Sequence, residues 1–241
     1  MLLLCWWRHG LPISVCDVWP WPSSIYSVFD KRYGKKYSVV RGEIDVCDTR
    51  GNYLDSFDIE IWLDNDSYPY SIPLIRESST KIERHEDWHI DEKGYCCLDI
   101  EHELEYKAKQ GIELVRFYQE GIYPYFANTL YKMNFGRYAN GEYDHFFRGV
   151  VQFYHKKLLL KDNLLIIKIL KAVLSNTIPG RNTRPCICGL NKKFKRCHLK
   201  CFEFLQCLTK ERLLKDLAGF EELSGKSEKS TAKDLGTLLF P

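Results

Sequence analysis

Residues 85–100, HEDWHIDEKGYCCLDI, decide how this chain is read. They hold two adjacent cysteines, Cys96 and Cys97, just after a turn-prone stretch, Asp91-Glu92-Lys93-Gly94. Three histidines, His85, His89 and His102, lie within about a dozen residues of the pair. A free thiol has a pKa of about 8.5, so near neutral pH only a few per cent of it is thiolate. A nearby imidazole or oriented amide raises that fraction or stabilises an oxyanion, so this stretch is a candidate nucleophile site.

Upstream, 37–47 (YSVVRGEIDVC) is β-rich and 48–52 (DTRGN) reads as a turn. In 53–63, Phe57, Ile59 and Ile61 alternate with Asp58, Glu60 and Trp62, which completes a hairpin. A further strand is expected over 74–77, after Tyr68-Pro69 and Pro73, giving a meander of three or four antiparallel strands. Downstream, apolar residues recur at helical spacing over 112–131, with Pro124 marking a break or a first turn. Helices are also expected over 146–157, 163–175 and 201–217, with a linker over 177–185 and a polar tail from 221.

The 241 residues allow one large or two small domains, and 45 % hydrophobic with 28 % charged residues is the balance of a soluble globular chain. A net charge of +3 is too small to argue for nucleic acid. The run at 1–10, MLLLCWWRHG, is short for a signal segment and lacks a basic start, and no apolar stretch has membrane-spanning length. The ten cysteines are therefore read as reduced, metal-bound or catalytic, in a cytoplasm.

Lead-in, β-meander, Tyr68-Pro69…Pro73, then Gly94-Tyr95-Cys96-Cys97-Leu98-Asp99-Ile100 and helices: this order resembles the ubiquitin-conjugating enzymes over roughly residues 25–155. The resemblance is nearest to their divergent bacterial relatives, in which a string like Gly136–His145 and a helix bearing Phe153-Tyr154 also recur. The family's Gly-x-Ile-Cys-Leu-Asp-Ile line places Cys97 on the nucleophile and Cys96 on an apolar core position. Its His-Pro-Asn falls on Asp87-Trp88-His89, so His89 stands where the family has an oxyanion-stabilising amide. An imidazole there can donate to the same oxyanion, act as base toward an incoming amine, or be structural. His85 is read as a cap or a partner of Glu86, Glu142 and His145 as structural, and Asp99 and His102 as a solvated face.

A second cluster is more tightly spaced. Cys186-x-Cys188 and Cys197-His198 offer four ligands within thirteen residues, suited to one closed tetrahedral structural zinc ion. Gly189 permits the turn that brings two thiolates to one metal. Lys192, Lys193, Lys195 and Arg196 offset thiolate charge, and Phe194 supplies a small core. Pro-Cys-x-Cys-Gly…Lys-Lys-Phe-Lys-x-Cys-His resembles the SEC-C motif, with Leu190-Asn191 where the motif usually has Ser-Gly. Cys201 and Cys207 are read as helix-face residues.

The expected class is α+β: a ubiquitin-conjugating-like antiparallel β-meander flanked by helices, plus a small C-terminal zinc-binding motif. The expected segments are a lead-in at 1–24, the conjugating-like domain at 25–160, helix and linker at 161–184, the zinc motif at 185–200, and helix and tail at 201–241. The resemblance implies a thioester transferase of a bacterial pathway, with antiphage defence as its setting. Its partners would be a ubiquitin-like protein, an activating enzyme and a protein target, without nucleic acid or membrane. The alternative is an inactive binding module of the same fold, with the zinc motif as a docking element.

Overall fold

The structure is a computed structural model that describes residues 23–31, 34–139, 143–144, 146–177 and 185–236, the last eleven by backbone alone. The lead-in up to residue 22, the Glu142 and His145 pair and the linker at 178–184 lie outside the described residues. The chain divides into two compact units, Met1–Glu142 and Tyr143–Pro241. The sequence reading carried its first domain on to residue 160.

The first unit is built on one antiparallel sheet in the order β1-β2-β3-β4. Its strands are β1 (Ser24–Asp30), β2 (Lys35–Cys47), β3 (Tyr53–Asp64) and β4 (Leu74–Glu77). Strand β1 was not foreseen, because its Ile25, Tyr26 and Phe29 are exposed and the flanking aromatic, Pro-rich residues hide a strand pattern. Asp48 shapes the β2–β3 turn. Its carboxylate accepts from Asn52 N, Asn52 Nδ2 and Arg50 N. Those bonds, the Asn52 side chain first, hold its pKa down to about 2. Across the sheet Val40, Ile61 and Ile75 fall in register, and Phe57, Ile59 and Ile61 are buried as the alternation requires.

Helices cover that face. Helix α1 (Glu101–Gln110) buries His102, Leu104 and Ala108. This corrects the reading of His102 as solvated: the charged sequence EHELEYKAKQ conceals a narrow inward stripe. Asp99 stays at the surface side, paired with Lys107 at 3.2 Å. Next, α2 (Leu114–Phe117), a π turn (Tyr118–Ile122) and α3 (Tyr123–Phe135) follow without interruption. Pro124 explains the π turn. It has no N–H to give to the preceding turn, and Tyr123 N bonds back to Tyr118 O. Phe126 packs on Phe57 with centroids 5.1 Å apart.

The second unit holds α4 (Phe146–Lys156), α5 (Asn163–Leu174), α6 (Leu199–Leu205) and α7 (Lys210–Gly236). Phe147 and Tyr154 pack on Phe220, at 5.2 and 5.0 Å. A Cβ on Gly219 would meet the Phe147 ring at 2.2 Å, so that position needs glycine. Inside this packing the Tyr154 hydroxyl donates to Asp216 Oδ2 at 2.7 Å. Helix α7 replaces the tail expected from 221. Glu221 and Glu222 are exposed, and the buried Phe220 anchors the helix that they continue. The helix expected over 201–217 is divided, α6 ending before α7 begins.

Candidate functional site

Cys97 is set by a short hairpin. Ile90 pairs antiparallel with Cys96, Asp91 N donates to Tyr95 O at 3.0 Å, and Cys97 N donates to His89 O at 2.7 Å. The Asp91 carboxylate accepts from Lys93 N and Tyr95 N and so fixes the turn. The returning arm lies along β4: Cys96 N donates to Ile75 O and Glu77 N to Gly94 O, both at 2.8 Å. Gly94 has φ +88°, and a Cβ there would meet Glu77 O at 2.5 Å. Glu77 is buried and pairs with Arg84 at 2.5 Å, and Arg84 Nη2 also donates to Glu77 O at 3.0 Å. The hairpin therefore fills the open side of β4 and carries the two thiols in opposite directions.

That alternation separates the cysteines chemically. Cys96 is turned inward, and burial pushes its thiol up to about 12. Cys97 is exposed. Its thiol is also raised, by desolvation first and then by the Asp91 carboxylate. A raised thiol is a weak nucleophile near neutral pH, where little of it is thiolate.

His89 ends a one-turn 3₁₀ helix, Glu86–Trp88, in the left-handed conformation, φ 50° and ψ 43°. The structure brings its backbone to Cys97 and its ring to Tyr138, at 5.5 Å between centroids. The Tyr125 hydroxyl lies 2.9 Å from Trp88 O and 3.2 Å from His89 O. Lys132 Nζ donates to Asp87 O, and so does the Tyr138 hydroxyl, at 3.2 Å. His85 caps the same turn, its Nδ1 accepting from Asp87 N at 3.2 Å. Sequence reading placed Asp91 only in a turn and missed Tyr125, Lys132 and Tyr138. The seven-residue spacing of Tyr125 and Lys132 on one helix face was the available signal.

In the second unit, one ligand atom each from Cys186, Cys188, Cys197 and His198 gather within 4.8 Å of one another. Cys186 Sγ lies 3.1 Å and Cys197 Sγ 3.3 Å from His198 Nδ1, and Cys188 Sγ lies 3.7 Å from Cys197 Sγ. A disulfide would need about 2.05 Å. Thiolates at about 2.3 Å from one tetrahedral ion would stand about 3.8 Å apart. The donor set and spacing fit a metal ion such as zinc. Residues 184–200 match the SEC-C motif. No curated protein and no solved structure matches the chain.

Local bonds shape the SEC-C motif. Gly189, at φ +80°, donates to Cys186 O at 3.0 Å, and Cys186 N donates to Lys192 O at 2.8 Å. A 3₁₀ turn, Phe194–Arg196, aims Cys197 and His198, whose amides both bond back to Phe194 O. Phe194 is fully buried against Phe202, 5.7 Å away. Burial lowers the His198 pKa and so favours the neutral imidazole that a metal needs. At Cys188 desolvation raises the thiol, but hydrogen bonds from Leu190 and the neighbouring thiols outweigh it and the pKa falls. Cys201 is buried on α6 and pushed up to about 12. Lys192, Lys193, Lys195 and Arg196 are all exposed. Among the described residues, no helix is long and apolar enough to cross a membrane.

Proposed function

We propose that the first unit is a ubiquitin-conjugating-like thioester transferase of a bacterial modification pathway, working in the cytoplasm. Cys97 takes the C-terminal acyl group of a ubiquitin-like protein from an activating enzyme. The donor's C–S bond breaks, the Cys97 Sγ–C bond forms, and the Cys97 proton leaves with the departing thiol. An acceptor amine then forms the C–N bond, Cys97 regains its thiol, and His89 serves as oxyanion donor or as base. The SEC-C motif holds one structural zinc ion as a C-terminal module.

The observation that carries this reading is the pairing of an exposed Cys97 with a loop whose His89 carbonyl accepts the Cys97 amide at 2.7 Å. The sequence line Gly94-Tyr95-Cys96-Cys97-Leu98-Asp99-Ile100 supports it. A second reading, an inactive module that binds a ubiquitin-like protein, is favoured by the raised Cys97 thiol beside Asp91.

Intact-mass spectrometry separates the two. The protein is mixed with ATP, a ubiquitin-like protein and its activating enzyme, and analysed with and without thiol reductant. The transferase gives a reductant-sensitive adduct of one modifier, absent in Cys97→Ala and present in Cys96→Ala. No adduct, with the partners active on each other, leaves the binding module.

A further inference from the structure

The loop at 87–89 is held more firmly than a surface turn requires. Three consecutive carbonyls, of Asp87, Trp88 and His89, accept from Lys132, Tyr138, Tyr125 and the Cys97 amide. The Tyr125 hydroxyl keeps its proton for this, since burial, and then neighbouring Cys96, raise its pKa well above the ordinary value. The loop ends on a non-glycine residue in left-handed backbone. Such a conformation is strained and persists where the surroundings over-determine it, often at functional sites.

Tyr138 contributes in two ways at once. Its hydroxyl bonds to Asp87 O, and its ring lies against the His89 ring at 37° between planes. The chain delivers it there by reversing after α3 at Gly136, φ +72°, whose amide donates to Lys132 O at 2.7 Å. Lys132 in turn places its ammonium 4.2 Å from the Tyr138 ring centre and 4.8 Å from that of Trp88. A cation held between two aromatic faces fixes both rings.

We propose that Tyr138, backed by Lys132, is a positioning residue that orients the His89 imidazole for the step that discharges acylated Cys97. This rests on the transferase reading. It predicts a split between the two half-reactions: acylation of Cys97 needs only the exposed thiol, whereas discharge needs the ring in place.

The test uses full-length, metal-loaded protein and a small chemical donor, the acetyl thioester of mercaptoethanesulfonate. Transthiolation moves the acetyl group to Cys97 and releases the donor thiol, and free lysine then discharges it as an amide. Both steps are followed by intact mass, with Cys97→Ala reporting acetylation elsewhere. Tyr138→Leu acylates at the wild-type rate and discharges about tenfold more slowly, and Tyr138→Phe, which keeps the ring, stays within about threefold of wild type. Lys132→Met falls between them and is the second variant should Tyr138→Leu fold poorly. In NMR spectra the His89 ring protons carry an upfield ring-current shift, lost in Tyr138→Leu and kept in Tyr138→Phe. Wild-type discharge rates in both Tyr138→Leu and Lys132→Met, or an unmoved His89 signal in Tyr138→Leu, overturn the assignment while leaving the transferase intact. A wild-type Cys97 that never acylates overturns the transferase reading and the assignment together.

Discussion

The two cysteine sites use the same side chain in opposite ways. Around Cys97 the backbone makes the frame: hairpin bonds, the β4 edge and a hydrophobic core hold one thiol apart from its neighbours. In the SEC-C motif four ligand atoms crowd within 4.8 Å, with Phe194 and Phe202 as the small core beside them. A thiol that is isolated keeps its proton and can exchange it. Thiols forced together repel as thiolates and stay together through a cation. The first arrangement leaves one thiol exposed, and the second fits a metal ion such as zinc.

The largest expected effect tests that division. Chelating the metal, or Cys188→Ser, removes binding free energy on the order of 10–16 kcal/mol in comparable zinc peptides. Hydrogen exchange should then become fast at the amides of Cys186, Gly189, Cys197 and His198. The amides of Cys96 and Cys97 should stay protected. Loss of protection in both places would break the comparison, because the hairpin would then depend on the metal too.

Gly94→Ala probes the other frame. It puts a Cβ 2.5 Å from Glu77 O at a φ of +88°. We expect a loss of about 2–3 kcal/mol in urea unfolding of the first unit, with metal content unchanged. A smaller effect is expected from Asp91→Asn, which keeps the side-chain oxygen that caps the turn and removes the charge that helps to raise Cys97. The raised pKa leaves less thiolate at neutral pH than an ordinary cysteine has, so wild-type alkylation by iodoacetamide climbs late as pH rises. The variant's rate at pH 8 should be higher by about twofold, because losing the Asp91 charge lowers the thiol pKa and leaves more thiolate. An unchanged rate would mean that burial alone sets this thiol.

What could be read from sequence was what is encoded locally. The alternation of Phe57, Ile59 and Ile61 and the Asp48–Asn52 turn gave the β2–β3 hairpin, and ligand spacing gave the four residues of the cluster. Features that depend on distant contacts were hidden. His102 is buried on α1, whose Leu104 and Ala108 join the hydrophobic core of the first unit, which no neighbour in EHELEYKAKQ announces. Strand β1 exists because β2 pairs with it, from Ser24↔Arg41 to Asp30↔Lys35. Tyr138 meets His89 across 49 positions of chain, through a reversal at Gly136. The polar residues after 220 were read as a tail because composition reports solvent exposure and is silent on helicity.

The left-handed backbone at His89 has a consequence for anyone selecting heat-resistant variants of this protein. Glycine occupies φ 50° without the penalty that histidine carries there, so a blind screen for thermal tolerance should return His89→Gly. Such a clone would look like an improvement on the heating curve, and would have exchanged the imidazole that lies against Tyr138 for a more comfortable loop.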